Sequence, residues 1–173
     1  MRTCTTPILT RVPAAKQLAL QLDARSGLFV YTPFVTMNLQ TTYSIFVADD
    51  DEDDRLLMKV AFDRYCPEAQ IQFAVDGLDL MEALGESRAR PCLIILDLNM
   101  PRLNGLESLQ ILRANPVYMH TPIIVFSTSD NEQDKFNAHE KGANEYIVKP
   151  VDMTALADLV NKLKQDWNLA ECN

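Results

Sequence analysis

A chain of 173 residues with 47% hydrophobic and 23% charged side chains is long enough for one full core and too short for two ordinary domains. Its formal charge of −8 is uneven: residues 1–36 set Arg2, Arg11, Lys16 and Arg25 against Asp23, so the rest of the chain carries the whole acidic excess. That balance repels nucleic acid and anionic membrane surfaces, so neither is an expected partner.

No stretch approaches the ~18 apolar residues of a membrane span. Cys4, Cys66, Cys92 and Cys172 lack metal-ligand spacing and read as free thiols of a reducing cytosol. Residues 1–42 mix Thr, Pro, Arg and short apolar pieces without clear periodicity, and Met37 stands just before the first convincing strand. They read as an N-terminal extension, either a disordered tail or sequence upstream of a start at Met37. A signal peptide fits poorly, because no clean run of about 7–15 apolar residues follows the early basic residue.

From Tyr43 onward, short apolar runs alternate with amphipathic windows. Strands are expected at 43–48, 70–75, 92–97, 122–127 and 144–148, and helices near 53–65, 77–86, 105–114, 131–141 and 152–167. Alternation of this kind predicts an α/β domain over 43–168 with a doubly wound parallel sheet, followed by a tail at 169–173. The few residues after Trp167 leave no room for an effector domain.

Within that frame the acidic run Asp51–Asp54 reads as a first helical turn favoured by the helix dipole. Asp76-Gly77 is a turn into the second helix, and Asn104 is an N-cap for the third. Ser129-Asp130-Asn131-Glu132 has capping-box spacing for the fourth helix, which Gly142 ends. That helix has little beyond Phe136, Ala138 and Ala143 to bury and should be the least firmly docked. In the last helix Leu156, Leu159, Val160, Leu163 and Trp167 form one apolar stripe that must lie on the sheet, with Trp167 as core or rim packing. His120 and His139 have no partner spacing and read as solvated.

In an open parallel sheet the working groups sit at the carboxyl ends of the strands. Here those ends hold Asp49 and Asp50, Asp97, Ser127, and Lys149-Pro150. Unit charges ~4 Å apart at an effective dielectric of ~20 repel by about 4 kcal/mol, so clustered carboxylates call for a cation. All-oxygen ligands select a hard ion, and Mg²⁺ is the usual one beside phosphate. Asp97, alone at a central strand end, is the candidate nucleophile toward phosphorus. Lys149 and the Ser127 hydroxyl would neutralise charge on the transferring group.

These residues, in this order, resemble the response-regulator receiver family of two-component signalling across essentially all of 43–168. The motifs are Asp49-Asp50, Asp97 with Asn99, Met100-Pro101 and Gly105, the hydroxyl of Ser127, the aromatic Tyr146, and Lys149-Pro150. The resemblance implies strand order 2-1-3-4-5. It implies Mg²⁺ held by Asp50, Asp97 and the Asn99 backbone carbonyl, with help from Asp49 through water. It also implies phosphoryl transfer from a sensor histidine kinase onto Asp97, a Ser127–Tyr146 switch, and a cis Lys149–Pro150 bond.

A cytoplasmic switch of this kind is no enzyme beyond its own phosphoryl transfer and slow dephosphorylation. It signals by binding a downstream protein or passing phosphate to a histidine phosphotransfer protein, and a homodimer through the face of the fourth helix, fifth strand and fifth helix belongs to the same expectation. Thr128-Ser129 and the closing Trp167 are similar to stand-alone receivers of the phytochrome-associated kind. Thr128 departs from the Ala or Gly of many receivers and would slow entry of water or a small phosphodonor. Two rivals stand beside this reading. One is a Mg²⁺-dependent aspartyl-phosphate phosphohydrolase, which usually has a second acid two residues after the nucleophile, where this chain has Asn99. The other is a non-phosphorylated pseudo-receiver adaptor.

Overall fold

The computed structural model describes residues 18–22, 29–33 and 43–169. In the N-terminal unit β1 (Leu18–Leu22) and β2 (Phe29–Pro33) pair antiparallel, with Leu20 opposite Tyr31, in a stretch where the sequence pattern predicts no element. Leu-Ala-Leu-Gln-Leu alternates and Phe-Val-Tyr-Thr is rich in β-formers, but each run is too short to stand out from its surroundings. The rest of the expected extension 1–42, Met37 included, and residues 170–173 of the expected tail lie outside the described residues.

The second unit alternates strand and helix: β3 (Tyr43–Ala48), α1 (Glu52–Tyr65), β4 (Ala69–Ala74), α2 (Gly77–Glu86), β5 (Pro91–Leu96), α3 (Gly105–Ala114), β6 (Ile123–Ser127), α4 (Glu132–Glu140), β7 (Glu145–Val148) and α5 (Met153–Asp166). Each element falls within a residue of its predicted bounds. The five strands are all parallel in the order β4-β3-β5-β6-β7, the expected 2-1-3-4-5. The chain leaves β3 for one edge through β4 and returns across it to β5, so the crevice of the fold opens where β3 and β5 end side by side.

Strands β3, β5 and β6 are buried along their whole length, as a parallel sheet covered on both faces requires. On one face Ile45, Val47 and Ile95 pack with Met58 and Phe62 of α1 and Leu156, Val160 and Leu163 of α5. Leu169 is fully buried in the same core, and Trp167 packs at its rim. On the other face Phe46, Ile94, Leu96 and Val125 meet Leu80 of α2, Leu109 and Leu112 of α3, and Ala138 of α4.

Three expectations change. The N-cap of α4 is Asn131, whose side chain accepts from the Gln133 N–H at 2.8 Å; Ser129 is diverted, because its hydroxyl donates to the Asp134 carboxylate at 2.6 Å. Phe136 is 59% exposed, since it lies two residues, roughly half a turn, from the inward-facing Ala138. Cys66 is the free cysteine among the described residues, whereas Cys92 is disulfide-bonded. His120 and His139 are exposed, as expected.

Gly105 decides how α3 meets the strand end. Its N–H donates to the Leu98 carbonyl at 3.1 Å, and a Cβ there would lie 2.1 Å from the Asp97 carbonyl oxygen. Gly105→Ala is expected to destabilise the protein by about 1–3 kcal/mol or more. Gly85→Ala, in open space on α2, should gain about 0.5–1 kcal/mol. Urea midpoints at unchanged slope measure both.

Candidate functional site

Backbone bonds that continue the ladders beyond the strands build the site. The Asp97 N–H donates to the Ala48 carbonyl at 2.8 Å, and the Asp49 N–H donates to the Ala74 carbonyl at 3.1 Å. The Lys149 N–H donates to the Ser127 carbonyl at 2.8 Å. Three sequence-distant segments are thus locked in register at the same end of the sheet, and their next side chains converge.

Asp49, Asp50 and Asp97 each place a carboxylate oxygen within 4.8 Å of the others. Asp49 and Asp97 are nearly inaccessible, at 2% and 6%, while Asp50 is exposed. The Lys149 ammonium reaches Asp49 at 2.8 Å, Asp54 at 2.7 Å and Asp97 at 3.6 Å, and lies 5.8 Å from the centre of the Phe126 ring. One oxygen of Asp49 accepts from Lys149 and the other from the Asp51 N–H at 3.0 Å. One oxygen of Asp97 accepts from the Asn99 N–H at 3.1 Å.

Burial pushes the Asp49 and Asp97 carboxyls up against the opposing pull of Lys149. Burial works to lower the Lys149 ammonium, but its bonds to Asp49 and Asp54 outweigh it and hold the pKa above the ordinary lysine value. Four carboxylates against one ammonium leave the cluster short of positive charge. With oxygen donors alone, the set fits a hard divalent cation held by Asp50, Asp97 and the Asn99 carbonyl, with Asp49 behind them.

Ser127 is fully buried, and its hydroxyl oxygen accepts from the Ser129 N–H at 3.2 Å. The Tyr146 hydroxyl donates to the Ser129 carbonyl at 2.8 Å, so the aromatic expected to switch is tied to the loop that carries Ser127. Thr128 between them is exposed. The sequence positions Asp49, Asp50, Asp97, Asn99, Ser127 and Lys149 therefore share one end of the sheet, with Tyr146 one turn of hydrogen bonding away.

Two features went unread in the sequence. Asp51 does cap α1, accepting from the Asp53 and Asp54 N–H groups, but Asp54 points back to Lys149 rather than only favouring the dipole. Arg102 pairs with the buried Asp76, a residue whose place before Gly77 marks a turn in the sequence. The cis Lys149–Pro150 bond is also absent, for no cis peptide occurs among the described residues. The isomers at an X–Pro bond differ by only ~0.5–1 kcal/mol, and the trans bond already delivers Lys149 to the carboxylates.

A family model for the response regulator receiver domain matches residues 45–161. The response regulator Rcp1 of Synechocystis is 30% identical over 71% of this chain and 87% of its own length. The probable methanogenesis regulatory protein FilR2 of Methanothrix harundinacea is 25% identical over 76% of this chain and 87% of its own. Among solved structures, the phosphorylated cyanobacterial phytochrome response regulator RcpA gives a TM-score of 0.67 at 30% identity, covering 73% of this chain and 94% of that one. The Mn²⁺-bound form of Rcp1 gives 0.66 at 28% identity, covering 76% and 97%.

The raised Asp97 carboxyl has a stability consequence. The folded chain holds a proton there over a pH interval in which the unfolded chain has released it, so metal-free stability falls as pH rises from about 4 through the folded value. Asp97→Asn should remove that loss and raise metal-free stability near neutral pH above that of the wild type. Mg²⁺ at about 100 times its dissociation constant should stabilise the wild type by about 2.7 kcal/mol, and the variant much less. Urea unfolding across pH, with chelator and with Mg²⁺, measures both effects.

Proposed function

The chain belongs to the response regulator receiver family, and from that premise we propose that it accepts a phosphoryl group on Asp97 from the phosphohistidine of a sensor histidine kinase. The carrying observation is the convergence of Asp97 with Lys149 and the acidic pair Asp49-Asp50 at one sheet end. The phosphorylated form of RcpA and the Mn²⁺-bound form of Rcp1 support the same chemistry for this chain.

An Asp97 carboxylate oxygen attacks phosphorus as the bond from phosphorus to the histidine nitrogen breaks, and the nitrogen departs with that electron pair. The chain's own groups act on the charge that spreads over the equatorial oxygens. Lys149, already held between Asp49 and Asp54, supplies a fixed positive charge with no reorganisation. The Asn99 N–H steadies the Asp97 carboxylate at 3.1 Å. The Ser127 hydroxyl turns from the Ser129 N–H toward the phosphoryl oxygens. Mg²⁺, held by Asp50, Asp97 and the Asn99 carbonyl with Asp49 behind them, would supply the remaining neutralisation.

When Ser127 leaves the Ser129 N–H, the loop that receives the Tyr146 hydroxyl rearranges, and the face of α4, β7 and α5 changes with it. Phe136, Val148 and Met153 are exposed there. Output follows through a downstream protein, a histidine phosphotransfer protein or a second copy of this chain on that face. Moving such a switch from 1:99 to 99:1 takes about 5.5 kcal/mol of differential stabilisation. A cytoplasmic location and the absence of turnover on outside substrates belong to the same reading.

Incubation with Mg²⁺ and a small acyl phosphate should add one phosphoryl group by intact mass, mapped to Asp97 and lost in Asp97→Asn. Lys149→Met should slow that gain by about 10²-fold or more. Beryllofluoride with Mg²⁺ should bind the wild type and not Asp97→Asn. Neither modification nor beryllofluoride binding would leave an adaptor without chemistry, and repeated turnover of a phosphomonoester would mark a hydrolase.

A further inference from the structure

The turn that follows Asp97 contains a backbone conformation that its residue type disfavours. Arg102 has φ 60, in the left-handed region that non-glycine residues rarely enter. Its guanidinium bonds through Nε and Nη2 to one oxygen of Asp76. The Asp76 side chain is 1% exposed, and its other oxygen caps α2, accepting from the Leu78 and Asp79 N–H groups at 2.9 and 3.1 Å. The next residue, Gly77, donates its N–H to the Leu103 carbonyl at 3.0 Å. The start of α2 therefore grips two successive residues of the turn.

The ends of the turn are pinned as well, by the Asn99 N–H on the Asp97 carboxylate and the Gly105 N–H on the Leu98 carbonyl, both at 3.1 Å. With these points fixed, relaxation of Arg102 to negative φ has to be taken up by the peptide planes upstream of it, and the Asn99 carbonyl belongs to one of them. Arg102 keeps a side chain 55% exposed, so packing does not require arginine there. A glycine would meet the backbone demand alone; what arginine adds is the bond to Asp76.

We propose that Arg102 is a positioning residue: paired with Asp76, it holds the turn so that the Asn99 carbonyl faces the carboxylate cluster. The inference rests on the function proposed above, in which that carbonyl is a metal ligand. Arg102 does not meet the reacting group; it acts through the turn, as groups behind the ligands of a metal site do.

Calorimetric titration of the full chain with Mg²⁺ tests it on wild type, Arg102→Ala and Arg102→Gly. Both variants are expected to bind Mg²⁺ about tenfold more weakly, the glycine variant included although it adopts the left-handed backbone freely. In the metal-free protein, hydrogen exchange of the Asn99 amide should quicken relative to the β5 amides in Arg102→Ala, which separates local loosening of the turn from lost global stability. Wild-type affinity in Arg102→Gly would assign the turn to backbone conformation alone and overturn the role of the pair, as would unchanged Asn99 exchange in Arg102→Ala. A wild type that takes up no Mg²⁺ would overturn the proposed function instead, and the metal-free exchange would still decide the clamp.

Discussion

Like charges held together by backbone geometry are the constraint from which the rest of this molecule follows. Asp49 and Asp97 cannot separate, because their own N–H groups are ladder donors to Ala74 and Ala48, and burial denies them the water that would screen their repulsion. Lys149 is placed by the same device, through its bond to the Ser127 carbonyl. The sheet thus stores an electrostatic deficit at one end, which one ammonium relieves only in part. A hard divalent cation is a species of the charge and hardness that such a cluster accepts.

The elements around the cluster differ in how firmly they are held. Helices α1 and α5 are fixed by large apolar side chains, Phe62, Leu156, Val160 and Leu163 among them. In contrast, α4 buries only Ala138 and is secured mainly by polar ties at its ends. At its start Ser129 bonds Asp134 and receives Tyr146; beyond its end the Arg113 guanidinium donates to the Gly142 carbonyl at 2.8 Å and to Asn144 at 2.7 Å. Directional bonds of this kind can be exchanged one for another at small net cost, whereas a packed apolar face moves only by opening a cavity. The element that changes partners in a switch is drawn from the weakly buried end of the fold.

The strands and most helices of the second unit are legible because a doubly wound sheet imposes the strongest pattern a sequence can carry: buried strands read as unbroken apolar runs, and helices docked on the sheet show one apolar stripe, with the capped α4 the exception. The carboxylates, the hydroxyl and the lysine were legible as well, since each stands directly after such a run. Less could be read wherever a side chain has two local uses. Ser129 and Asn131 both suit an N-cap, and the choice fell to Asn131 only because Asp134 engages Ser129. Asp54 suits a helix dipole and a lysine alike, and the short strands β1 and β2 offer too few residues for a periodicity to emerge.

Element order, parallel pairing and the identity of the groups at the carboxyl ends of the strands are already written in the residues, because hydrophobic period and turn chemistry are local properties. How those groups pair emerges in the folded molecule: Lys149 is shared among Asp49, Asp54 and Asp97, Tyr146 rests on the Ser129 carbonyl, Arg102 reaches the buried Asp76, and Cys92 is not a thiol. Such pairings join residues far apart in the chain, and their energies depend on distance and burial, which exist only once the strands have been laid side by side.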